Sequence, residues 1–214
     1  SRDGKLLAYA SDRSGDGNLD IYVRQVGGGE PIRLTRDPAD EREPAFSPDG
    51  TSIAFRSERE GGAIYVVSAL GGQARRIAPE GRRPQFSPDG NWIAYWVGSP
   101  SLLAGNSQIY VVAAAGGVPK QLQPDFSAAG WPVWSPDGMR LLFLGNRDVK
   151  LPPEESVDWW VTPLDSGPAL RTGALEATRN QKLTGPLWVY PWALVAPAWQ
   201  PEGDSLLFSA RSGD

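Results

Sequence analysis

Short apolar segments recur along the chain, at residues 5–10, 52–57, 92–97, 140–144 and 205–210, and each follows directly on a polar turn. Before each of the last four turns stands proline, a variable residue and an aromatic: Pro44-Ala45-Phe46, Pro84-Gln85-Phe86, Pro132-Val133-Trp134 and Pro197-Ala198-Trp199. A third segment follows with an aliphatic–aromatic pair at Ile21-Tyr22, Ile64-Tyr65 and Ile109-Tyr110, replaced by Trp159-Trp160 in the fourth copy. Paired glycines (Gly28-Gly29, Gly71-Gly72, Gly116-Gly117, with Ser166-Gly167 in the fourth) then lead to polar outer segments at 32–35, 75–78 and 120–123. Segments this short, bounded by Gly and Pro and rich in β-branched and aromatic residues, predict strands.

The turn itself is the marker of the repeat. Ser-Pro-Asp-Gly stands at 47–50, 87–90 and 135–138, with degenerate copies at 1–4 and 200–203, spaced 46, 40, 48 and 65 residues apart. Proline presets the first corner, aspartate suits the second, and glycine takes the left-handed position that follows. Four strands per period form a small antiparallel sheet with two apolar faces, which it cannot bury alone, so such sheets must stack on one another. The aromatic before each turn is expected between neighbouring sheets. These periods predict an all-β propeller of four-stranded antiparallel blades, with about four blades present.

The units resemble the TolB-like propeller repeat: a strand, Ser-Pro-Asp-Gly, a strand ending near Ser-Asp-Arg, an Ile-Tyr strand, Gly-Gly, then Leu-Thr. The first copy matches through Ser11-Asp12-Arg13, Asp20-Ile21-Tyr22, Gly28-Gly29 and Leu34-Thr35, and the match is weakest from 146 to 196. The resemblance implies a six-bladed ring. Blades are expected at about 1–42, 43–82, 83–130, 131–195 and, incomplete, 196–214. The first unit lacks its innermost strand and the last stops after its second, which reads as a fragment of a larger propeller within a single domain, 1–214.

Charge narrows the function. Lysine plus arginine number 21 against 25 acidic residues, net −4, and the densest basic spots, Arg75-Arg76 and Arg82-Arg83, are only pairs. A nucleic-acid surface needs clustered positive charge, so none is expected here. No stretch has the length of a membrane-spanning helix, and no insertion into a membrane is expected. With no histidine and no cysteine, a Ser-His-Asp triad, a Cys-His pair and histidine-ligated zinc are all excluded within these residues. No Gly-x-Ser-x-Gly elbow or phosphate-cradling glycine loop occurs, and the segment reads as non-catalytic.

Two places could carry binding. Residues 12–20 place Asp12, Ser14, Asp16, Asn18 and Asp20 at positions 1, 3, 5, 7 and 9 of a calcium loop, with Gly17 at 6. Position 12 is Val23, so the bidentate glutamate is missing, and a hairpin rich in Asp, Asn and Gly for turn reasons explains the same residues. Apart from calcium, no cofactor is expected. The second place is the long fourth unit, where a short helix at 173–182 precedes an aromatic run containing Trp188, Tyr190 and Trp192. These rings form either a partner-binding patch or a cover over the propeller rim. Residues 150–156 read as a solvated hairpin tip.

The resemblance implies a recognition or scaffold module binding a protein or small ligand at a propeller face in the bacterial envelope, periplasmic or otherwise extracytoplasmic, with the cytoplasm not excluded. Asp158-Trp159-Trp160-Val161-Thr162-Pro163-Leu164 is similar to sensor propellers of bacterial serine/threonine kinases and winged-helix regulators. The alternative is the gating propeller of a prolyl-oligopeptidase-like serine peptidase whose catalytic domain lies outside the segment.

Overall fold

A computed structural model of the chain describes residues 1–99, 105–165, 167–181, 198–200, 202–203 and 205–207. The chain divides into two compact units, residues 1–95 with 111–120, and residues 96–110 with 121–214. In the first unit, β1 (Leu6–Ser11), β2 (Asp20–Gln25) and β3 (Ile32–Arg33) make a three-stranded sheet in that order. A four-stranded sheet follows in order β4 (Glu41–Phe46), β5 (Ser52–Ser57), β6 (Ala63–Ser68), β7 (Arg75–Ala78). The next sheet, β8 (Arg82–Phe86), β9 (Trp92–Val97), β10 (Gln108–Ala113) and β11 (Lys120–Leu122), has residues in both units. The second unit adds β12 (Ala128–Trp134), β13 (Arg140–Asn146), β14 (Val157–Pro163) and β15 (Leu170–Arg171), then the pair β16 (Ala198–Trp199) and β17 (Leu206–Leu207). Strands adjacent in sequence are adjacent in each sheet. The paired registers are antiparallel, and the fold is the blade architecture of a β-propeller.

The repeated turn explains why each blade begins as it does. Ser47 Oγ donates to Asp49 Oδ1 at 2.5 Å and accepts the Ser52 amide at 3.0 Å. Ser87 does the same with Asp89 and Trp92, and Ser135 with Asp137 and Arg140. Gly50 closes the turn onto the Ser47 carbonyl with φ of 73°, a region that favours glycine. The degenerate copy at the start is built alike: Ser1 Oγ donates to Asp3 and accepts the Leu6 amide.

In the first unit, apolar side chains from β2, β5 and β6 (Ile21, Val23, Ile53, Phe55, Tyr65, Val67) form one core. Phe46, an aromatic that precedes a turn, packs on that core half-buried. In the second unit Phe126 meets Phe143 and Trp160 edge-on, with centroids 5.1 and 5.0 Å apart.

Three expectations are refined. The outer strand expected at 32–35 is ladder only over Ile32–Arg33, because Thr35 Oγ1 takes the Ile21 amide at 2.8 Å in place of a backbone partner. The tip expected at 150–156 contains a helical turn, α1 (Pro153–Ser156), with proline in its first turn and Ser156 buried. The helix expected at 173–182 is present as α2 (Ala174–Asn180), whose Ala174 amide donates to Thr172 Oγ1 at 3.2 Å. Among the described residues no helix is long and apolar enough to cross a membrane.

Candidate functional site

Three inner strands share one irregularity. In the frame x-Pro-x-aromatic-Ser-Pro-Asp-Gly, the residue before the first proline is Glu43, Arg83 or Trp131, and each has positive φ: 56°, 49° and 54°. Left-handed backbone costs a non-glycine residue about 1 kcal/mol or more and persists only where the surroundings impose it. The imposition is visible in the pairing, for the register of β4 on β5 shifts between Arg42 and Ala45, and that of β12 on β13 between Gly130 and Val133. These are bulges, which re-aim a side chain out of the regular alternation. Proline after the bulged residue has no amide to leave unpaired there.

The side chains so aimed differ in chemistry. In the first unit the Glu43 carboxylate accepts the Arg83 amide at 2.6 Å. Arg56 grips Glu58 with two bonds, 2.7 and 2.9 Å, and donates to the Gly81 carbonyl at 3.3 Å. That fork holds the Glu58 carboxyl below its usual value. Burial and then the neighbouring Arg56 charge hold Arg82 below the ordinary arginine value, with Glu43 and Glu58 opposing them. In the second unit Trp131 lies against Trp96, with ring centroids 4.7 Å apart. The same backbone device thus carries an acid and a base in the first unit, half-buried Glu43 and exposed Arg83, and in the second unit a buried indole, Trp131.

Residues 12–20 form the hairpin between β1 and β2. Asp16 and Asp20 are brought together around an arginine, for Arg33 Nη2 is 2.7 Å from Asp16 and 2.5 Å from the fully buried Asp20. This guanidinium holds the Asp16 carboxyl below its ordinary value and supplies the positive charge a bound cation would bring. Asn18 is buried and turns its amide to the carbonyls of Asp37 and Ala39. Asp12 is exposed and Ser14 half-buried at the hairpin tip, where the Asp12 carbonyl accepts the Gly15 amide. Among the described residues no group of three or more acidic side chains is placed to hold a metal ion. Trp188, Tyr190 and Trp192 lie outside the described residues.

Two further features escaped the sequence. Glu41, fully buried, accepts the Ser57 hydroxyl at 3.0 Å, while Arg59 stands 3.3 Å from it and from Asp37. Burial pushes the Glu41 carboxyl up to about 7 despite Arg59 and Ser57. Asp158, also fully buried, binds Arg171 at 2.8 Å as Asp20 binds Arg33. The acid just before Ile21-Tyr22 and Trp159-Trp160 was a legible signal; the arginine that answers it was not.

Residues 1–103 match the family described as the TolB beta propeller domain. The chain is 31% identical over 149 residues to the uncharacterized peptidase YuxL of Bacillus subtilis, covering 68% of this chain and 21% of that protein. It is 33% identical over 150 residues to the TolB homolog of Chlorobium chlorochromatii, covering 67% of this chain and 32% of that protein. The chain therefore spans about a third or less of the length of these relatives. Among solved structures, the putative TolB from Agrobacterium tumefaciens superposes with a TM-score of 0.61 at 25% identity, over 79% of this chain and 61% of that one.

Proposed function

We propose that these residues are a non-catalytic recognition module of a larger bacterial protein, whose blades hold variable side chains at strained positions before a shared proline for a protein partner or small ligand. The observation that carries the reading is the set Glu43, Arg83 and Trp131: one strained backbone position before a shared Pro-x-aromatic-Ser-Pro-Asp-Gly frame, three unrelated side chains. A variable side chain held at a strained position on a rigid frame is how a scaffold carries binding. Likeness to TolB proteins supports a place outside the cytoplasm and a ring of six blades. A sensor propeller attached to a kinase or winged-helix regulator is the finer form of the same reading. Neither nucleic acid nor a membrane enters it.

A second reading is favoured by the peptidase relative from Bacillus subtilis: the blades gate access to a serine hydrolase domain elsewhere in the parent chain. One experiment separates them. A photoreactive amino acid is placed at 43, 83 or 131 of the parent protein in its own cells, with the exposed Met139 as control position. Recognition of a partner gives adducts to a separate protein from 43 and 83, and not from 139 or from 131, whose side chain is buried against Trp96. Adducts to a hydrolase domain of the same chain establish the gate, and equal labelling at 139 removes the recognition reading.

A further inference from the structure

The blades also differ where the outer strand of one faces the glycine turn of the next. In the first unit, Arg75 opens β7 and reaches the turn after β10: Nη1 donates to the Ala115 carbonyl at 2.8 Å and Nη2 to the Ala114 carbonyl at 2.9 Å. Ala69 and Leu70 stand in the equivalent turn after β6, immediately before Gly71-Gly72 as Ala114 and Ala115 stand before Gly116-Gly117. The two turns share their anchoring bond, for Ala69 N donates to the Thr51 carbonyl at 2.9 Å and Ala114 N to the Asn91 carbonyl at 2.8 Å. The third residue after the glycine pair is Arg75 in the second unit of the repeat and Lys120 in the third, yet Ile32 in the first. Isoleucine has no donor to offer the turn at 68–72.

A groove of about 570 Å³ lies there, between β3 and that turn, bordered by Leu6, Val23, Ile32, Ala69 and Leu70. Ile32 is 57% exposed and Leu70 is 93% exposed, so both stand open to a visitor. Glu30 and Arg24 also border the groove and leave it without net charge. What distinguishes the groove is the turn backbone at 69–70, which takes the place of the carbonyl pair at 114–115.

We propose that this groove docks an arginine side chain of a partner polypeptide, its guanidinium donating to the carbonyls of Ala69 and Leu70 as Arg75 donates to Ala114 and Ala115. The methylene stem lies along Ile32 and Leu70, and Glu30 at the border takes part of the charge. Arginine fits better than lysine because its rigid fork offers two donors to two neighbouring acceptors. The inference rests on the recognition reading, but it concerns residues other than Glu43, Arg83 and Trp131, so either can fail alone.

The probe is a blocked pentapeptide with the sequence of residues 73–77, Gln-Ala-Arg-Arg-Ile, titrated into the isotope-labelled 214-residue chain and followed by amide shifts. Shifts are expected at 69–72 with a dissociation constant of about 1 mM, as suits one anchoring side chain. Norleucine in place of the first arginine weakens binding about tenfold, the loss of a bidentate donor pair. Ile32→Arg fills the groove from within and abolishes the shifts, while Leu70→Ala, at an exposed position, keeps the melting temperature and weakens binding about threefold. Equal binding of the norleucine peptide, undiminished binding to Ile32→Arg, or shifts away from 69–72 overturns the proposal. So does self-association of the unliganded chain that Ile32→Arg abolishes, which makes a second copy the occupant. Photo-crosslinking from 43, 83 and 131 reports the recognition reading separately.

Discussion

Replacing Glu41 by glutamine reads out the cost of a buried carboxylate. The folded carboxyl sits at about 7 against an ordinary 4.5, so the folded chain holds its proton more tightly than the unfolded one. The associated stability is complete below about pH 4.5 and is lost as pH rises through 7. A displacement of that size corresponds to about 3 kcal/mol at most. Glutamine keeps the oxygen that accepts the Ser57 hydroxyl and carries no charge to desolvate, and Arg59 retains Asp37 and the face of Tyr65, 4.1 Å away. Glu41→Gln is therefore close to neutral or mildly destabilising at pH 5 and stabilising at pH 8.5. The difference between the two proteins should move by about 3 kcal/mol across that range, or roughly 5–10 °C in melting temperature. Near-ultraviolet circular dichroism of the tryptophan-rich core follows unfolding at each pH. The chain has no histidine, so no other side chain ordinarily titrates inside the window. Parallel melting-temperature curves for the two proteins would refute the reasoning.

Three other outcomes are expected. Gly98→Ala should cost several kcal/mol and lower soluble yield, because its Cβ would lie 2.0 Å from the Asn106 carbonyl oxygen at a φ of 97°. Calcium titrated into the chain should give no heat and no rise in melting temperature, since Arg33 already lies between Asp16 and Asp20; a saturable rise that Asp16→Ala removes would restore the calcium loop. Hydrogen bonds from Ser47, Ser87 and Ser135 are the largest influence holding Asp49, Asp89 and Asp137 below the usual carboxylate value. Their stabilisation is present above pH 4 and is lost as pH falls through the lowered values, so the triple Ser→Ala variant should lose less stability between pH 5 and pH 2 than the parent, as acid titrations followed by circular dichroism would report.

What the sequence revealed was what is local. The strands at 52–57 and 92–97 lie where alternation and the preceding turn place them, because the turn is closed by its own serine, aspartate and glycine. The outer strand after Gly28-Gly29 came out shorter because Thr35 turns its hydroxyl onto Ile21 and Asp20, partners 14 and 15 residues away. Residues 12–20 carried a ligand-like composition, yet the charge that answers Asp16 and Asp20 comes from Arg33 on another strand. Glu43, Arg83 and Trp131 had a legible signal, a variable residue before a fixed proline. At Glu43 and Trp131 the left-handed backbone comes with a bulge against the neighbouring strand, which their own propensities do not announce.

The serine–aspartate turn has a consequence for how the chain acquires its structure. Each copy completes its polar bonding within six residues, so it can close before any distant contact exists, on the timescale of a hairpin. Several such sites lie along one chain, and none waits for another. Folding can therefore begin at any blade and spread to its neighbours, giving parallel routes in place of one obligatory nucleus. Disabling a single turn should then reroute folding without halting it.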